Sequence, residues 1–379
     1  MGNSSASVSS SKVPQHNRRT RFVCISDTHN CTVKLPKGDV LIHCGDLTNQ
    51  GSFGELSKQV AWLERADFEC KLVIAGNHDI TLDTNFFEQY GNYFHNNNPQ
   101  NLTDCHNLLT KSNSLIYLEH SSHTVKLTSP SGPRTTFNAF GSPYIPDCGM
   151  WAFQYSRRDP AIAENIWSDI PLDTDILITH GPARTHRDES RREALGCESL
   201  RQALWRVRPR IALCGHIHQA RGVERVRWDL SNKFVRYKEL ESNYQWEDPG
   251  VGNEKNCLVD LTGKGGMPLD NDGSKVSLSS IPTAYTADES AKQNTTGIAA
   301  NMEAVLTEGA KPGIGTRGLS GNPASARSDG PALAGRLGRK ETCIVNCALQ
   351  QASYPHSGPR MLHKPIVIDI DLPVWGDDS

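Results

Sequence analysis

The chain has 379 residues with 40 basic and 42 acidic side chains, which gives a formal net charge of -2. Charge this evenly balanced produces no field that favours a nucleic-acid polymer or an anionic membrane as partner. No hydrophobic run reaches the length of a transmembrane helix, and the N-terminus lacks the apolar core of a signal peptide. We therefore expect an intracellular, cytoplasmic protein.

Residues 1–19 are rich in Ser and Asn and have no apolar periodicity, which predicts a disordered tail. The first five residues, MGNSS, suggest N-myristoylation, but Ala6 stands where the stricter motif has Ser or Thr. An unmodified tail is the favoured interpretation. A single acyl chain would in any case give only marginal membrane contact.

Three short apolar runs predict buried strands near the start of the chain, at residues 22–26, 39–44 and 72–75. Each run ends at polar side chains that are able to bind a metal ion. These are Asp27 and His29, then Asp46, then Asn77, His78 and Asp79. A capping box at residues 52–55, followed by apolar residues at helical spacing through Leu63, predicts a helix that covers one face of the sheet.

The middle of the chain changes from loop to strands. Residues 80–114 contain many Asn and predict a loop with short helical pieces. Apolar runs at 115–118, 124–127 and 136–140 then predict three successive strands. Because no helix separates these strands, we expect them to pair antiparallel as a meander.

Two helices are predicted further on. Asp159-Pro160 indicates a helix start, with Asp as the cap and Pro in the first turn, and Ile162 and Ile166 are expected on the inward face. Apolar residues at helical spacing between 200 and 207 predict the second helix, which Pro209 ends.

Two further strand-like runs, residues 175–179 and 211–214, also end at histidines. His180 follows the first run, and His216 and His218 follow the second. Strand ends in α/β sheets are where ligand sites collect, because the loops there aim side chains into one crevice. Although each motif alone also fits an ordinary turn, together the five strand ends predict one site for two metal ions.

From residue 262 to residue 340 the composition changes, since Gly and Pro fill 18 of these 79 positions and Tyr285 is the only aromatic residue. Such a segment has too few apolar side chains to build a core. Strand-like runs resume after it. We therefore predict a disordered insertion, residues 262–340, within a single domain formed by residues 20–261 and 341–379.

The eleven cysteines raise the alternative of a disulfide-bonded protein. Their number is odd, their spacing is irregular, and Cys24, Cys44 and Cys214 lie in apolar runs, where a thiol behaves as a small buried hydrophobe. Reduced structural cysteines are therefore the favoured interpretation, and we assign no cysteine to a metal.

The ordered set of strand-end motifs resembles the calcineurin-like metallophosphoesterase superfamily. The set comprises Asp-x-His at 27–29, Gly-Asp at 45–46, Gly-Asn-His-Asp at 76–79, Thr-His-Gly-Pro at 179–182 and Gly-His-x-His at 215–218. Any one motif is weak evidence, whereas all five in order are specific. Further sequence such as Val-Arg-Pro at 207–209 resembles the branch of metallophosphoesterase domain-containing proteins.

This resemblance implies a mixed α/β (α+β) fold, a metallophosphatase-type β-sandwich of two mixed sheets flanked by helices, with active-site loops at strand ends. It also implies two metal ions that share Asp46 as a bridging ligand. The remaining ligands would be Asp27, His29 and His218 for one ion, and Asn77, His180 and His216 for the other. Carboxylate, imidazole and amide ligands without thiolate suit Mn, Fe or Zn.

In such enzymes the His of Asn-His-Asp lies near the substrate rather than the metal. The resemblance thus implies His78 as a general acid or transition-state donor, with Asp79 orienting its ring. Five other residues beside the site have two interpretations each. His43 is a supporting histidine rather than a ligand, Asn49 and Arg187 contact phosphate or only solvent, and Ser142 and Tyr144 form a turn or a pocket wall.

We expect a dinuclear-metal-dependent phosphoric ester hydrolase, because two cations would lower the pKa of a shared water and neutralise charge on the phosphate ester. The branch resemblance favours phosphodiesters, including cyclic nucleotides. A protein Ser/Thr or small-molecule phosphomonoesterase is the alternative. A non-catalytic nucleotide-binding scaffold is the alternative from another class, although a scaffold would have no need of an acid such as His78.

Overall fold

The computed structural model describes residues 16–230, 238–241, 244–274, 336–351 and 361–376. Five α-helices lie in these residues, at Phe53–Glu64 (α1), Thr84–His95 (α2), Leu102–Thr110 (α3), Pro160–Ser168 (α4) and Glu198–Val207 (α5). Single 3-10 turns span Ile80–Leu82 and His218–Ala220. Within the described ranges, no helix combines the length and the apolar character that crossing a membrane requires.

The first large sheet has six strands. From one edge to the other they are Cys257–Leu261 (β15), Ile366–Pro373 (β17), Asn17–Ile25 (β1), Val40–Cys44 (β2), Cys70–Ile74 (β3) and Ile116–Tyr117 (β4). Strands β1, β2 and β3 are parallel, whereas β17 pairs antiparallel with β1. The sheet is therefore mixed, and its three central parallel strands end at the same edge.

The second large sheet has seven strands. In spatial order they are Glu239–Leu240 (β14), Gly222–Trp228 (β13), Glu341–Asn346 (β16), Ile211–Cys214 (β12), Ile176–Thr179 (β9), Thr136–Ser142 (β6) and Ser121–Lys126 (β5). Strands β9 and β12 are parallel. Two small pairs complete the strands: Ile145–Pro146 (β7) with Gln154–Tyr155 (β8), and Glu189–Ser190 (β10) with Glu193–Ala194 (β11).

Three apolar layers hold this architecture together. The central layer lies between the two sheets, where Ile42 and Leu72 of the first sheet belong to one buried cluster with Leu213 of the second. Helices α1, α2 and α3 cover the outer face of the first sheet, and α4 and α5 cover that of the second. The predicted sandwich of two mixed sheets flanked by helices is confirmed.

The N-terminus of α1 forms for the reason predicted. Ser52 Oγ accepts a hydrogen bond from Glu55 N at 3.3 Å, and Glu55 Oε2 accepts one from Ser52 N at 2.9 Å. This capping box satisfies backbone donors at the helix start, where a cap contributes about 1 kcal/mol. The inward face carries Leu56 and Leu63, both fully buried.

The prediction of a loop with short helical pieces at residues 80–114 understated the order there. Helix α2 spans twelve residues, and Asp83 caps it by accepting a hydrogen bond from Phe86 N. Its aromatic residues alternate with Asn and Gln, so that only Gly91 is fully buried. The apolar pattern of a half-exposed helix is too weak to stand out in such a sequence.

Two expectations about packing were wrong. The predicted meander of three strands is divided between the sheets, because β4 pairs parallel with β3 whereas β5 and β6 pair antiparallel in the second sheet. In α4 the predicted Ile166 packs partly buried against the cluster that holds Ala163 and Trp167, but Ile162 is 43% exposed and does not face inward. The bulky Trp167 determines which side of α4 faces the sheet.

The predicted boundaries of the tail and the insertion also differ from the structure. Strand β1 begins at Asn17, so the strand includes the last residues of the expected tail; the myristoylation motif lies outside the described residues. Residues 262–274 and 336–340 of the expected insertion are described, and Arg339 Nε donates to Ser274 O at 2.7 Å. Positions 275–335 lie outside the described residues.

Candidate metal centre

Five strand ends meet at one edge of the sandwich, as the sequence predicted. Strands β1, β2 and β3 of the first sheet lead to one side of the site, and β9 and β12 of the second lead to the other. The turns touch across the sheets: His216 N donates to Asp27 Oδ2 at 3.0 Å, and a ring nitrogen of His180, Nδ1, lies 2.8 Å from Cys44 O. The seven predicted ligand residues therefore lie together.

The backbone of these turns is strained. Asp27, His29, Asp46 and His216 all have a left-handed conformation, with φ values of 56°, 43°, 55° and 65°. That region is unfavourable for residues with a Cβ atom and persists only where the surroundings enforce it. Such strain clusters at functional sites, because it aims side chains in directions that a regular strand end would not allow.

Two glycines allow the turns to approach one another. A Cβ atom at Gly76 would lie 2.3 Å from Asp46 Oδ1, and one at Gly215 would lie 2.3 Å from Asp27 Oδ2. Both distances are far below van der Waals contact. Glycine at these positions therefore leaves the space that the two carboxylates occupy.

The described residues include three overlapping groups that could hold a metal ion. In each group, one ligand atom from every member lies within 4.8 Å of the others. The groups are Asp27, His29 and His218; His29, Asp46 and His78; and Asp46, His180 and His216. Asp46 and His29 each belong to two of them. Of these two residues, the carboxylate of Asp46 is the one with two oxygens on the same group that can bridge two ions.

Distances around Asp46 agree with a shared position. Its Oδ2 lies 3.6 Å from His29 Nε2 and 3.3 Å from His180 Nε2, and its Oδ1 accepts a hydrogen bond from His78 N at 2.8 Å. One carboxylate oxygen therefore faces histidines of both ligand sets. The predicted ligand Asn77 is also in place, with its Oδ1 3.0 Å from His180 Nε2.

His180 shows that this donor set suits a cation. Its Nδ1 faces the Cys44 carbonyl, and its Nε2 faces the oxygens of Asn77 and Asp46, so both ring nitrogens face acceptors. A neutral imidazole can donate at only one nitrogen. Burial disfavours the charged ring, but Asp46 outweighs burial and raises the pKa of His180 to about 9. A metal ion at Nε2 would replace that proton.

His29 is prepared as a neutral ligand. Its Nδ1 lies 3.1 Å from Thr48 O, and a proton on Nδ1 leaves Nε2, which faces Asp46, as the basic nitrogen. Burial lowers the pKa of His29 to about 3. For Asp27, burial opposes ionisation, but His218 outweighs burial and lowers the pKa. Both side chains are thus held in the protonation state that metal binding requires.

His78 is buried and lies beside this cluster. Its Nδ1 is 2.8 Å from Asn49 O, and its ring packs on that of Trp151 with a centroid distance of 3.8 Å. The backbone carbonyl of Asn49, rather than a carboxylate, therefore orients the ring. His78 is also a member of one of the three groups, together with His29 and Asp46.

Asp79 does not orient His78, contrary to the expectation. Its carboxylate accepts hydrogen bonds from Gly76 N, Leu47 N, Thr48 N and Thr48 Oγ1, at distances between 2.7 and 3.2 Å. Asp79 thus ties the turn after β3 to the turn after β2. Asp79 is fully buried and holds the two turns that carry Asp46 and Asn77 in register.

Three other residues near the site, His43, Arg187 and Ser142, make contacts with neighbouring protein groups. His43 is outside all three groups, and its Nε2 lies 3.0 Å from Thr28 Oγ1. Arg187 Nη2 donates to Val223 O, and Ser142 Oγ lies 3.0 Å from His120 Nδ1. Trp151 was not foreseen, because it lies in a loop remote in sequence and no motif marks it.

The comparisons with known proteins agree with this geometry. A family model described as calcineurin-like phosphoesterase matches residues 20–220. Metallophosphoesterase domain-containing protein 1 of Homo sapiens is 37% identical over 244 residues, 61% of this chain and 70% of that protein. A probable rhamnogalacturonate lyase C of Emericella nidulans is 44% identical over 215 residues, 56% of this chain. The chain spans only 18% of that relative's length.

Among solved structures, a purple acid phosphatase from yellow lupin seeds is similar at a TM-score of 0.30 and 14% identity, covering 59% of this chain and 43% of that one. The strand-end ligand pattern and the sandwich define a metallophosphoesterase-type protein. With the match to residues 20–220, the chain belongs to the calcineurin-like phosphoesterase family.

Proposed function

We propose that the chain hydrolyses phosphoric diesters at a centre for two metal ions. The observation that carries this proposal is the position of Asp46, whose carboxylate is shared by two groups of potential ligands. Two cations held on either side of one carboxylate are the arrangement that phosphoryl-transfer enzymes use to bind both the attacking and the leaving oxygen.

The two ligand sets are those that the family resemblance implies, and the groups support them in part: Asp27, His29 and His218 form one group, and Asp46, His180 and His216 form another. Asp27, His29 and His218 would hold one ion with Asp46, and the remaining set of Asn77, His180 and His216 would hold the other with Asp46. Imidazole, carboxylate and amide donors favour Mn, Fe or Zn over softer ions. Bound there, the cations would neutralise charge on the phosphate oxygens and lower the pKa of water.

His78 is the residue that we assign to the departing oxygen. Because its Nδ1 faces the Asn49 carbonyl and would keep its proton there, Nε2 is the nitrogen that would exchange the transferred proton, so His78 would act as an acid in its doubly protonated form. Packing against Trp151 fixes the plane of the ring. Protonated at Nε2, His78 would donate to the leaving oxygen as the bond to phosphorus breaks.

Preference for a diester is supported by the space beside the site. A cavity of about 720 Å³ is lined by Trp151, whose ring also packs on His78. A phosphomonoester has one organic substituent, whereas a diester has two, and the cavity offers room for the second. The lining includes Asp83 and Glu119, which would repel the second negative charge of a monoester dianion.

The test is a metal-supplemented activity screen with bis(nitrophenyl) phosphate and nitrophenyl phosphate. We expect metal-dependent turnover of the diester at a kcat/KM at least about tenfold above that of the monoester. That ratio corresponds to a difference of about 1.4 kcal/mol in transition-state binding between the two esters. Faster monoester hydrolysis would favour the phosphomonoesterase. No metal-dependent turnover of either would favour the scaffold.

We further propose an intracellular location. All eleven cysteines are free thiols, and only Cys148 is exposed. Reduced, buried cysteines are usual in a reducing compartment. Location of the full-length chain by fractionation of the cells that produce it tests this proposal, and recovery from the medium would contradict it.

A further inference from the structure

The cavity that Trp151 lines has the size of a small-molecule site. Its volume of about 720 Å³ lies within the usual range of about 300–1,000 Å³ for such sites. Helix α2 and the turn before it form one wall, and residues 144–154 form the other. The cavity is therefore an open cleft between a helix and a loop, with Glu119 also in its lining.

The cavity is joined to the metal centre through one loop. Trp151 lines the cavity and also packs on His78, with ring centroids 3.8 Å apart. The next residue, Ala152, donates its backbone N–H to Asn77 O at 3.2 Å. A ligand in the cavity would thus lie on the side of the centre where His78 meets the leaving oxygen.

Aromatic rings make up much of the wall. Five of the fourteen lining residues are aromatic, namely Phe86, Tyr90, Tyr144, Trp151 and Phe153. The face of an aromatic ring carries partial negative charge from its quadrupole, so rings that line a cavity attract a cation.

The charged groups of the wall have one sign. Asp83 and Glu119 line the cavity, and no Lys, Arg or His is among the lining residues. Asp83 is fixed between the two walls, since Oδ1 accepts from Phe86 N at 3.0 Å and Oδ2 from Phe153 N at 2.7 Å. Its negative charge is therefore held in place at the base of the cavity.

Glu119 adds a second carboxylate. His106 Nδ1 is 4.0 Å from Glu119 Oε2, and His106 Nε2 lies 2.9 Å from Leu82 O. The Glu119 side chain is 47% exposed, so a ligand in the cavity that it lines can reach its carboxylate.

From the aromatic walls and the two carboxylates we propose that the cavity binds a quaternary ammonium group such as that of choline. A second part of the inference rests on the proposed function: the cavity selects phosphodiesters whose departing alcohol carries a quaternary ammonium group. In that hydrolysis the oxygen of water forms the new bond to phosphorus, the bond from phosphorus to the choline oxygen breaks, and this oxygen takes up a proton. A neutral leaving group would gain nothing from the two carboxylates.

Binding is tested with choline alone, by calorimetric titration of the intact protein. The comparison ligand is dimethylbutanol, in which a neutral tert-butyl group replaces the trimethylammonium group of choline. We expect choline to bind at least about tenfold more tightly than this isostere, the factor that a desolvated cation–aromatic contact supplies. Glu119→Gln should weaken choline binding severalfold and leave dimethylbutanol binding unchanged.

Glu88→Gln is the matched control, because Glu88 is exposed on α2 and does not line the cavity; it should bind choline as the unmodified protein does. Equal affinity for choline and its isostere, or no choline binding at millimolar concentration, overturns the inference. Choline binds without phosphate, so this result is independent of turnover of bis(nitrophenyl) phosphate. A protein that hydrolyses that diester but does not bind choline keeps the proposed function and loses the inference.

Discussion

At the scale of single residues, His78 can act as a general acid or as a metal ligand, and one substitution distinguishes the two roles. If His78 protonates the departing oxygen, His78→Asn should retain both metals and lose on the order of 10²–10⁴ in kcat/KM on an alkyl ester. The loss on a nitrophenyl ester should be much smaller, because that leaving group departs readily as an anion. The experiment measures kcat/KM of His78→Asn and of the unmodified protein on both esters, and determines the metal content of both proteins in parallel.

The structure makes this experiment sharper than the sequence could. His78 lies in one ligand group with His29 and Asp46, so metal ligation is a real alternative to acid catalysis. Loss of metal in His78→Asn would assign it as a ligand. Equal losses on both esters, with metal retained, would show that it stabilises charge rather than transferring a proton.

Gly76 is a second residue whose role follows from geometry. A Cβ atom there would lie 2.3 Å from Asp46 Oδ1, so Gly76→Ala should displace the Asp46 carboxylate. We expect metal affinity to fall by about 10–100-fold, as when groups that position ligands are altered. Gly54→Ala is the control, since nothing lies within 4 Å of a Cβ atom at Gly54. Unchanged metal affinity in Gly76→Ala would contradict this account of the turn.

At the scale of elements, the strands and the turns that follow them were predictable from the sequence, whereas helix α2 and the pairing of β4 were not. Strand runs 22–26, 39–44 and 72–75 are continuously apolar because both faces of β1, β2 and β3 are covered. Helix α2 is half exposed and gave no comparable signal. The pairing of β4 with β3 joins two strands of the first sheet that lie far apart in the sequence, and sequence order does not reveal it.

The candidate site was predictable in part for a similar reason. Asp46 and His180 follow directly from strands, so the direction of the chain determines where they lie. The roles of Asp79 and Trp151 depend on loops. Asp79 bonds backbone amides of another turn, and Trp151 reaches His78 from a distant loop. No local pattern specifies such contacts.

One buried histidine links separate elements in a pH-dependent way. His186 precedes the β10–β11 pair, and its two ring nitrogens lie 3.0 Å from Glu224 Oε1 of β13 and 3.2 Å from Glu239 Oε1 of β14. Burial disfavours the charged ring, but Glu224 and Glu239 outweigh burial and raise the pKa of His186 to about 9. The folded protein therefore holds this proton more tightly than the unfolded chain, whose histidine pKa is about 6.5.

Because the pKa is raised on folding, the stabilisation from His186 is fully present below about pH 6.5 and is lost as the pH rises through about 9. We expect His186→Gln to lower the free energy of unfolding by on the order of 2–3 kcal/mol at about pH 6 and by much less at about pH 9.5. Urea unfolding at both pH values measures this difference. The exposed His123→Gln is the control, and a pH-independent effect of His186→Gln would refute the assignment.

At the scale of the whole molecule, the segment after the insertion is part of the core. Strand β17 lies between β15 and β1, and β16 lies between β13 and β12. The two ends of the insertion are close, because Arg339 Nε donates to Ser274 O at 2.7 Å and Arg339 Nη2 to Asp175 Oδ1 at 2.9 Å. A short connection could therefore replace what lies between them.

We predict that replacing residues 275–335 with a short Gly/Ser linker leaves the Tm and activity nearly unchanged, because this part of the sequence has few core-forming side chains and loop length has little effect on closure entropy. Thermal unfolding and ester hydrolysis measure both. The larger deletion of residues 262–340 should lower the Tm, since it removes the buried Arg339 and its bond to Asp175. The same Tm after both deletions would show that residues 262–274 and 336–340 do not contribute to stability.

The central claim is that one carboxylate joins two metal ions. Elemental analysis of the purified protein and of Asp46→Asn, after equilibration with Mn, Fe or Zn and removal of free ions, tests it most directly. We predict two ions per chain in the unmodified protein. In the variant both sites should lose metal together, because the substitution removes the negative charge that both ions share. Two tightly bound ions in Asp46→Asn, or the loss of only one, would contradict the account.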